Sequence, residues 1–134
     1  MKPFLIGIIF LAYSQLGFSQ KNNCQIFKTG YFQNIDNNGK ITLIKRSENF
    51  QFETDKSTGE KVKLKITWIN ECSYKLSIIK GNSKWKKENH VDKYPDLIVN
   101  IIETGEDYYI QVAKFEGISD FGYTSKIIIV DKKD

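Results

Sequence analysis

Apolar and polar residues alternate with a period of two along much of this chain. The clearest run is "KVKLKITW" (61–68), where Val62, Leu64, Ile66 and Trp68 share one face and Lys61, Lys63, Lys65 and Thr67 the other. That period marks a β-strand with one face buried and one in water. "CSYKLSI" (72–78) repeats it, with Cys72, Tyr74, Leu76 and Ile78 on one face. Directly opposed residues in a hairpin point to the same side of the sheet, so apolar positions should face apolar positions. A three-residue loop at Ile69-Asn70-Glu71 meets that condition. It pairs Trp68 with Cys72, Ile66 with Tyr74, Leu64 with Leu76 and Val62 with Ile78, and it sets Lys75 opposite Lys65. A two-residue loop at Asn70-Glu71 would put Trp68 against Ser73 and mix the faces.

The remaining runs are shorter. "FKTGYF" (27–32) begins the first strand, and the Asn-Gly turn in "NNGK" (37–40) leads into "ITLIKR" (41–46). "NFQFET" (49–54) is expected to point Phe50 and Phe52 inward, and "STGE" (57–60) turns the chain into the lysine-rich strand. Residues 81–96 break the alternation and read as a loop with one helical turn near 84–90. "LIVNIIET" (97–104), "YYIQVAKF" (108–115) and "YTSKIIIV" (123–130) complete the set. About eight short strands at near-regular spacing predict an all-β antiparallel meander, a small barrel or sandwich.

The N-terminus reads differently. Lys2 is followed by the apolar run "FLIGIIFLA" (4–12) and a polar stretch in which Gly17 and Ser19 suit the two small-residue pockets of a signal peptidase. Residues 1–19 are therefore expected to be a cleaved signal peptide and 20–134 a single all-β domain. The apolar run falls short of the ~20 residues a spanning helix needs, so no membrane span is expected after cleavage. Cys24 follows "KNN", too far from the small residues for lipoprotein processing. Export to the periplasm or the extracellular space is the expectation. In such an oxidising compartment the two cysteines, Cys24 and Cys72, are expected to form a disulfide.

Composition and motifs then narrow the chemistry. The chain of 134 residues has 20 basic and 16 acidic side chains, too small an excess to imply nucleic acid. No G-x-S-x-G elbow or phosphate-cradling glycine loop occurs. His90, the single histidine, lies in a polar loop between Glu88 and Asp92, where solvation explains the group better than a metal. Glu106 and Asp107 read as turn residues. No enzymatic activity, cofactor or metal is expected; a cysteine-dependent hydrolase would require free thiols.

Two candidate binding features remain. Lys61, Lys63, Lys65 and Lys75 line a solvent face, with Lys80, Lys84, Lys86 and Lys87 close behind, while acids gather at Asp96, Glu103, Glu106, Asp107, Glu116 and Asp120. Such asymmetry steers anionic partners, here an envelope component such as a lipopolysaccharide or an acidic glycan; strand lysines also deter edge-to-edge aggregation. The aromatics Tyr31, Phe32, Phe50, Phe52, Trp68, Tyr74, Tyr108 and Tyr109 would line a small-molecule pocket in an open barrel or fill the core of a tight one. The short chain favours a core. Trp85, between Lys84 and Lys86, is the aromatic whose neighbours least suggest burial, and is a candidate contact residue.

"CQIFKTGYF" (24–32), "LIKRSENFQFE" (43–53), "TGEKVKLKITWINECSYKL" (58–76) and "IIET" (101–104) resemble a family of small exported Bacteroidota proteins. Its pattern is C-x-x-F-[KR]-T-G-x-F, an I-x-R, a Q-x-E, then W-x-x-x-C-x-Y-x-L, here Trp68, Cys72, Tyr74 and Leu76. The likeness covers the first half of the expected mature chain well and the second loosely, and implies no catalytic residues. Some members carry a name referring to DNA topoisomerase IV, an enzyme many times this size that works inside the cell. "GYF" (30–32) echoes the lipocalin G-x-W, but the tryptophan is replaced and no late arginine follows, Arg46 being the single one. Lipocalin likeness is thus expected in shape only. The leading expectation is a non-enzymatic exported barrel-like domain that binds a ligand or envelope partner. The alternative is a structural or assembly protein of the envelope acting through its lysine face.

Overall fold

Each alternating run becomes a strand. The computed structural model describes residues 23–89, 94–118 and 122–131. The expected signal peptide lies outside the described residues, as do His90, Asp92 and Asp120. The strands are β1 (Gly30–Ile35), β2 (Ile41–Arg46), β3 (Phe50–Asp55), β4 (Lys61–Asn70), β5 (Ser73–Gly81), β6 (Leu97–Thr104), β7 (Tyr108–Phe115) and β8 (Tyr123–Ile129). They form an antiparallel meander that closes into a barrel when β8 pairs with β1. Closure leaves no unpaired edge strand, which a small exposed sheet would otherwise carry as an aggregation risk. One short helix, α1 (Ser83–Glu88), follows β5. No helix among the described residues is long and apolar enough to cross a membrane.

A 3-10 turn at Gln25–Phe27 plugs one end of the barrel, with Phe27 fully buried. Cys24, at the start of this plug, is disulfide-bonded to Cys72 in the β4–β5 turn, 48 residues away. The expected pairing is therefore present, and both thiols are used. Phe27 packs edge-on against Tyr109 at 4.9 Å and tilted against Phe32 at 6.5 Å. Apolar inward residues from five further strands, among them Ile44, Leu64, Ile66, Val99 and Ile127, complete the core.

The β4–β5 hairpin differs from the expected register by two residues. Trp68 opposes Tyr74, not Cys72; Ile66 opposes Leu76 and Leu64 opposes Ile78. The chain turns tightly at Glu71-Cys72 because the Asn70 side chain accepts the Cys72 N–H at 2.9 Å. A bulge near Trp68 restores the parity that a two-residue turn would have broken. A slip of two keeps the side chains of Leu64–Trp68 and Tyr74–Ile78 on their expected faces, and a second irregularity between Lys63 and Leu64 brings Lys80 opposite Lys63. Lys75 consequently faces Thr67, and Lys65 faces Ser77.

Strand β3 is turned over relative to expectation. Phe50 and Phe52 point outward, 36% and 41% exposed, while Gln51 and Asp55 are buried. The cause is Arg46, which β2 directs into the barrel opposite Gln51. Placing the two phenylalanines inward would have pointed Gln51 away from the buried guanidinium. A buried charge must keep its hydrogen bonds, and that requirement outweighs the burial of two rings whose lost transfer energy is about 2 kcal/mol each.

Candidate functional site

The interior is centred on Arg46. Its Nε donates to Gln51 Oε1 at 2.8 Å, and its Nη1 donates to the Phe27 carbonyl at 2.7 Å. Its Nη2 donates to Tyr74 Oη at 3.3 Å and Tyr109 Oη at 2.9 Å. The guanidinium also lies over the rings of Phe32, Tyr74 and Tyr109, at 4.7 to 5.9 Å from their centroids. Tyr74 and Tyr109 share a further hydroxyl contact of 2.7 Å, and Tyr74 donates to Gln111 Oε1. Burial pushes the Tyr74 phenol well above its ordinary range, reinforced by Tyr109. The inward aromatics Phe32, Tyr74 and Tyr109 thus pack on a cation and fill the barrel, as the shortness of the chain favoured. Tyr108 lies outside, donating to Glu103 at 2.8 Å.

Gln51 Nε2 passes this network on to Glu53 Oε2 at 2.7 Å. Burial raises the Glu53 carboxyl above its ordinary value, against the opposing effects of Gln51 and Arg46. Glu53, Asp55, Thr42 and Trp85 border a cavity of about 150 Å³ at the barrel mouth, opposite the plugged end. Asp55 is held well below the carboxylate range, first by the Ser57 hydroxyl at 2.8 Å and then by Lys40, whose Nζ lies 3.0 Å from Oδ2. Among the described residues no group of three or more His, Cys, Asp or Glu side chains is placed to hold a metal ion.

The candidate binding residues divide into three places. Trp85 sits at the mouth on α1, half-buried against the Gly81 backbone and tilted against Tyr94 at 5.9 Å. Asn82 caps this helix through the Trp85 N–H and binds the Gly59 carbonyl, fixing Trp85 to the β3–β4 turn. Trp85 is therefore more enclosed than its lysine neighbours suggest, and it stands apart from the lysine face. Lys75 also leaves that face. Its Nζ lies 3.9 Å from Asp96 and 3.7 Å from Glu116, so the late acids offset its charge.

Lys61, Lys63 and Lys65 do share one outer surface, and the inverted β3 brings aromatics to it. Lys63 Nζ lies over Phe50 at 4.5 Å and Phe52 at 5.6 Å. The cross-strand pairs Tyr31↔Lys45, Lys45↔Phe52, Phe52↔Lys63 and Lys63↔Lys80 form one continuous row across five strands. Paired residues project on the same face, so rings and ammonium groups alternate from β1 to β4, and β5 adds a second ammonium group beside Lys63. Phe52 stands between two grooves. One of about 360 Å³ runs past Lys61, Lys63 and Lys80; the other, of about 230 Å³, runs past Leu43, Lys45 and Tyr31 and ends beside Asp131. The only carboxylates in β1–β5 are Glu53 and Asp55, and both take inward positions. The charged side chains that these five strands turn outward are all lysines, of which Lys75 alone is offset by acids from the later strands.

Sequence reasoning missed Arg46, Phe52 and Lys45 as members of these arrangements. The signal was present in "KRSENFQFE": a lone arginine followed at short range by Gln51 and Glu53 gives a buried cation its partners. Comparison with known protein families, with curated proteins and with solved structures gave no match.

Proposed function

We propose that this protein is a non-enzymatic, exported barrel domain that binds an anionic component of the cell envelope on the outer wall of β1–β5. The observation that carries this reading is the one-signed wall: Lys45 on β2, Lys61, Lys63 and Lys65 on β4 and Lys80 on β5, with no outward strand carboxylate among them. Lysines placed only to protect sheet edges have no such task here, because the barrel is closed. A surface of one sign raises both the encounter rate and the residence of polyanions, and does so most at low salt. The disulfide suits an oxidising compartment outside the cytoplasm. The side-chain-filled interior supports an outer rather than an inner ligand.

The test is binding of the oxidised protein to anionic envelope material across a salt series, with Lys63→Glu/Lys65→Glu as comparison. The parent should bind with strong salt dependence and the variant should lose that binding. Equal binding by both would refute the assignment. Changes at such solvent-facing positions shift stability within about 0.5 kcal/mol, so the variant remains a fair comparison.

A further inference from the structure

The row across the cationic wall is more selective than a patch of lysines. We infer that the ligand is an acidic glycan with a carboxylate on every second sugar, seated across β2, β3 and β4 with one sugar on Phe52 and its charged neighbours on Lys45 and Lys63. This rests on the polyanion reading above and narrows it.

Spacing is the first argument. Neighbouring strands lie about 4.8 Å apart, so Lys45 and Lys63 leave the backbone about 9.6 Å apart with Phe52 midway. A pyranose advances an extended glycan by roughly one interstrand spacing. The two ammonium groups therefore address sugars two apart, and the ring between them meets an uncharged sugar. Flexible lysine stems accommodate the curvature of the wall, which these three strands follow for about three-eighths of the ring.

Chemistry is the second argument. Phe52 is a large apolar ring, 41% exposed, standing as a ridge between the two grooves. A polyphosphate has no apolar surface with which to cover the exposed part of this ring. The C–H face of a pyranose is flat and apolar enough to cover it, while the sugar hydroxyls stay in water. Lys63 is already held over Phe50 and Phe52 before any ligand arrives, which lowers the entropy lost on binding. Lys80 continues the row beyond Lys63, whereas Asp131 marks its end beyond Tyr31. Single-stranded nucleic acid also pairs rings with cations, but a disulfide-bonded domain belongs where glycans, not nucleic acids, are the abundant polyanions.

The experiment uses the oxidised protein at low salt and four probes matched for total charge: hyaluronan oligosaccharide, oligogalacturonate, polyphosphate and oligothymidylate. Isothermal titration should show hyaluronan binding most tightly. Phe52→Ala should weaken hyaluronan about tenfold and leave polyphosphate unchanged, and Phe52→Tyr should restore the loss. Lys45→Gln/Lys63→Gln should weaken both. Equal affinity for all four probes, with Phe52→Ala without effect, would overturn the glycan inference and leave the polyanion reading standing. Tightest binding of oligothymidylate or oligogalacturonate would also overturn it. Binding to none of the four would remove both.

Discussion

Replacing Arg46 by methionine tests whether the interior is held by a cation rather than by apolar packing alone. Methionine keeps most of the length and the ring contacts, so little cavity is created. What disappears is the charge and four hydrogen bonds, to Gln51, Phe27, Tyr74 and Tyr109. The two phenols keep each other and Gln111. Gln51 Oε1 and the Phe27 carbonyl lose the donor they hold, and each buried acceptor so orphaned costs about 1–3 kcal/mol. The sum, about 2–6 kcal/mol, is reduced because a charge no longer has to be buried. We expect a net loss of about 3 kcal/mol, a large part of the 5–15 kcal/mol typical of a domain. Urea denaturation of the oxidised protein reads this directly. In the Arg46→Met background, Tyr109→Phe should cost at least about 0.5 kcal/mol less than in the parent, because one shared bond is already gone. A loss under about 1 kcal/mol together with strict additivity would refute the claim that Arg46 organises the core.

Three further outcomes are expected. Cys24→Ser/Cys72→Ser opens a loop spanning 48 residues and should lower stability by up to about 4 kcal/mol on the chain-entropy model; an unchanged urea midpoint would contradict it. Glu53 is raised above its ordinary value of 4.5 by burial, so its contribution to stability is complete below that pH and is lost as pH rises toward the folded value. Glu53→Gln removes this loss, and its melting temperature should gain on the parent between pH 4 and pH 7; a gap that is constant or shrinks would show the carboxyl is not raised. Gly81→Ala places a methyl group against the Trp85 ring and should push the indole toward water, seen as a red-shifted tryptophan emission; an unshifted spectrum would place the ring elsewhere.

The barrel was legible in the sequence because alternation of apolar and polar residues survives in β4, β5 and β7, where the inner face is apolar. The disulfide was expected from two cysteines and the expectation of an oxidising compartment, and it is present. The hairpin register was not legible, since shifts by two residues preserve every face and the pattern cannot separate them; the Asn70 turn decided it. In β3 the pattern misled, because Phe50 and Phe52 alternate with Gln51 and Glu53 and hydrophobicity alone turns the rings inward. Only the inward Arg46 on β2 sets which set is buried, and that is a long-range fact about a partner strand. The lysine face was half legible: Lys61, Lys63 and Lys65 emerged from period two alone, but the rings beside them came from the inversion of β3. Lys75 shows the reverse limit, since Asp96 and Glu116 reach it only through the β5–β6 and β6–β7 pairings.

The plug and its disulfide also bear on the order in which the chain acquires its shape. In a chain that emerges N-terminus first into oxidising surroundings, Cys24 and Cys72 are both available well before β8, whose pairing with β1 closes the barrel. The covalent link can form around β1–β4 while that closure still awaits the last strand, the contact of greatest sequence separation and hence the slowest to be made. Until then β1 and β7 both present bare edges, the moment of greatest danger from neighbouring chains. With the link in place, β1 cannot drift from the hairpin that follows, so the last strand meets a docking edge already in position. Pulse-labelling hydrogen exchange should accordingly show β1–β2 amides protected before those of β8, and the interval should lengthen when the cysteines are replaced.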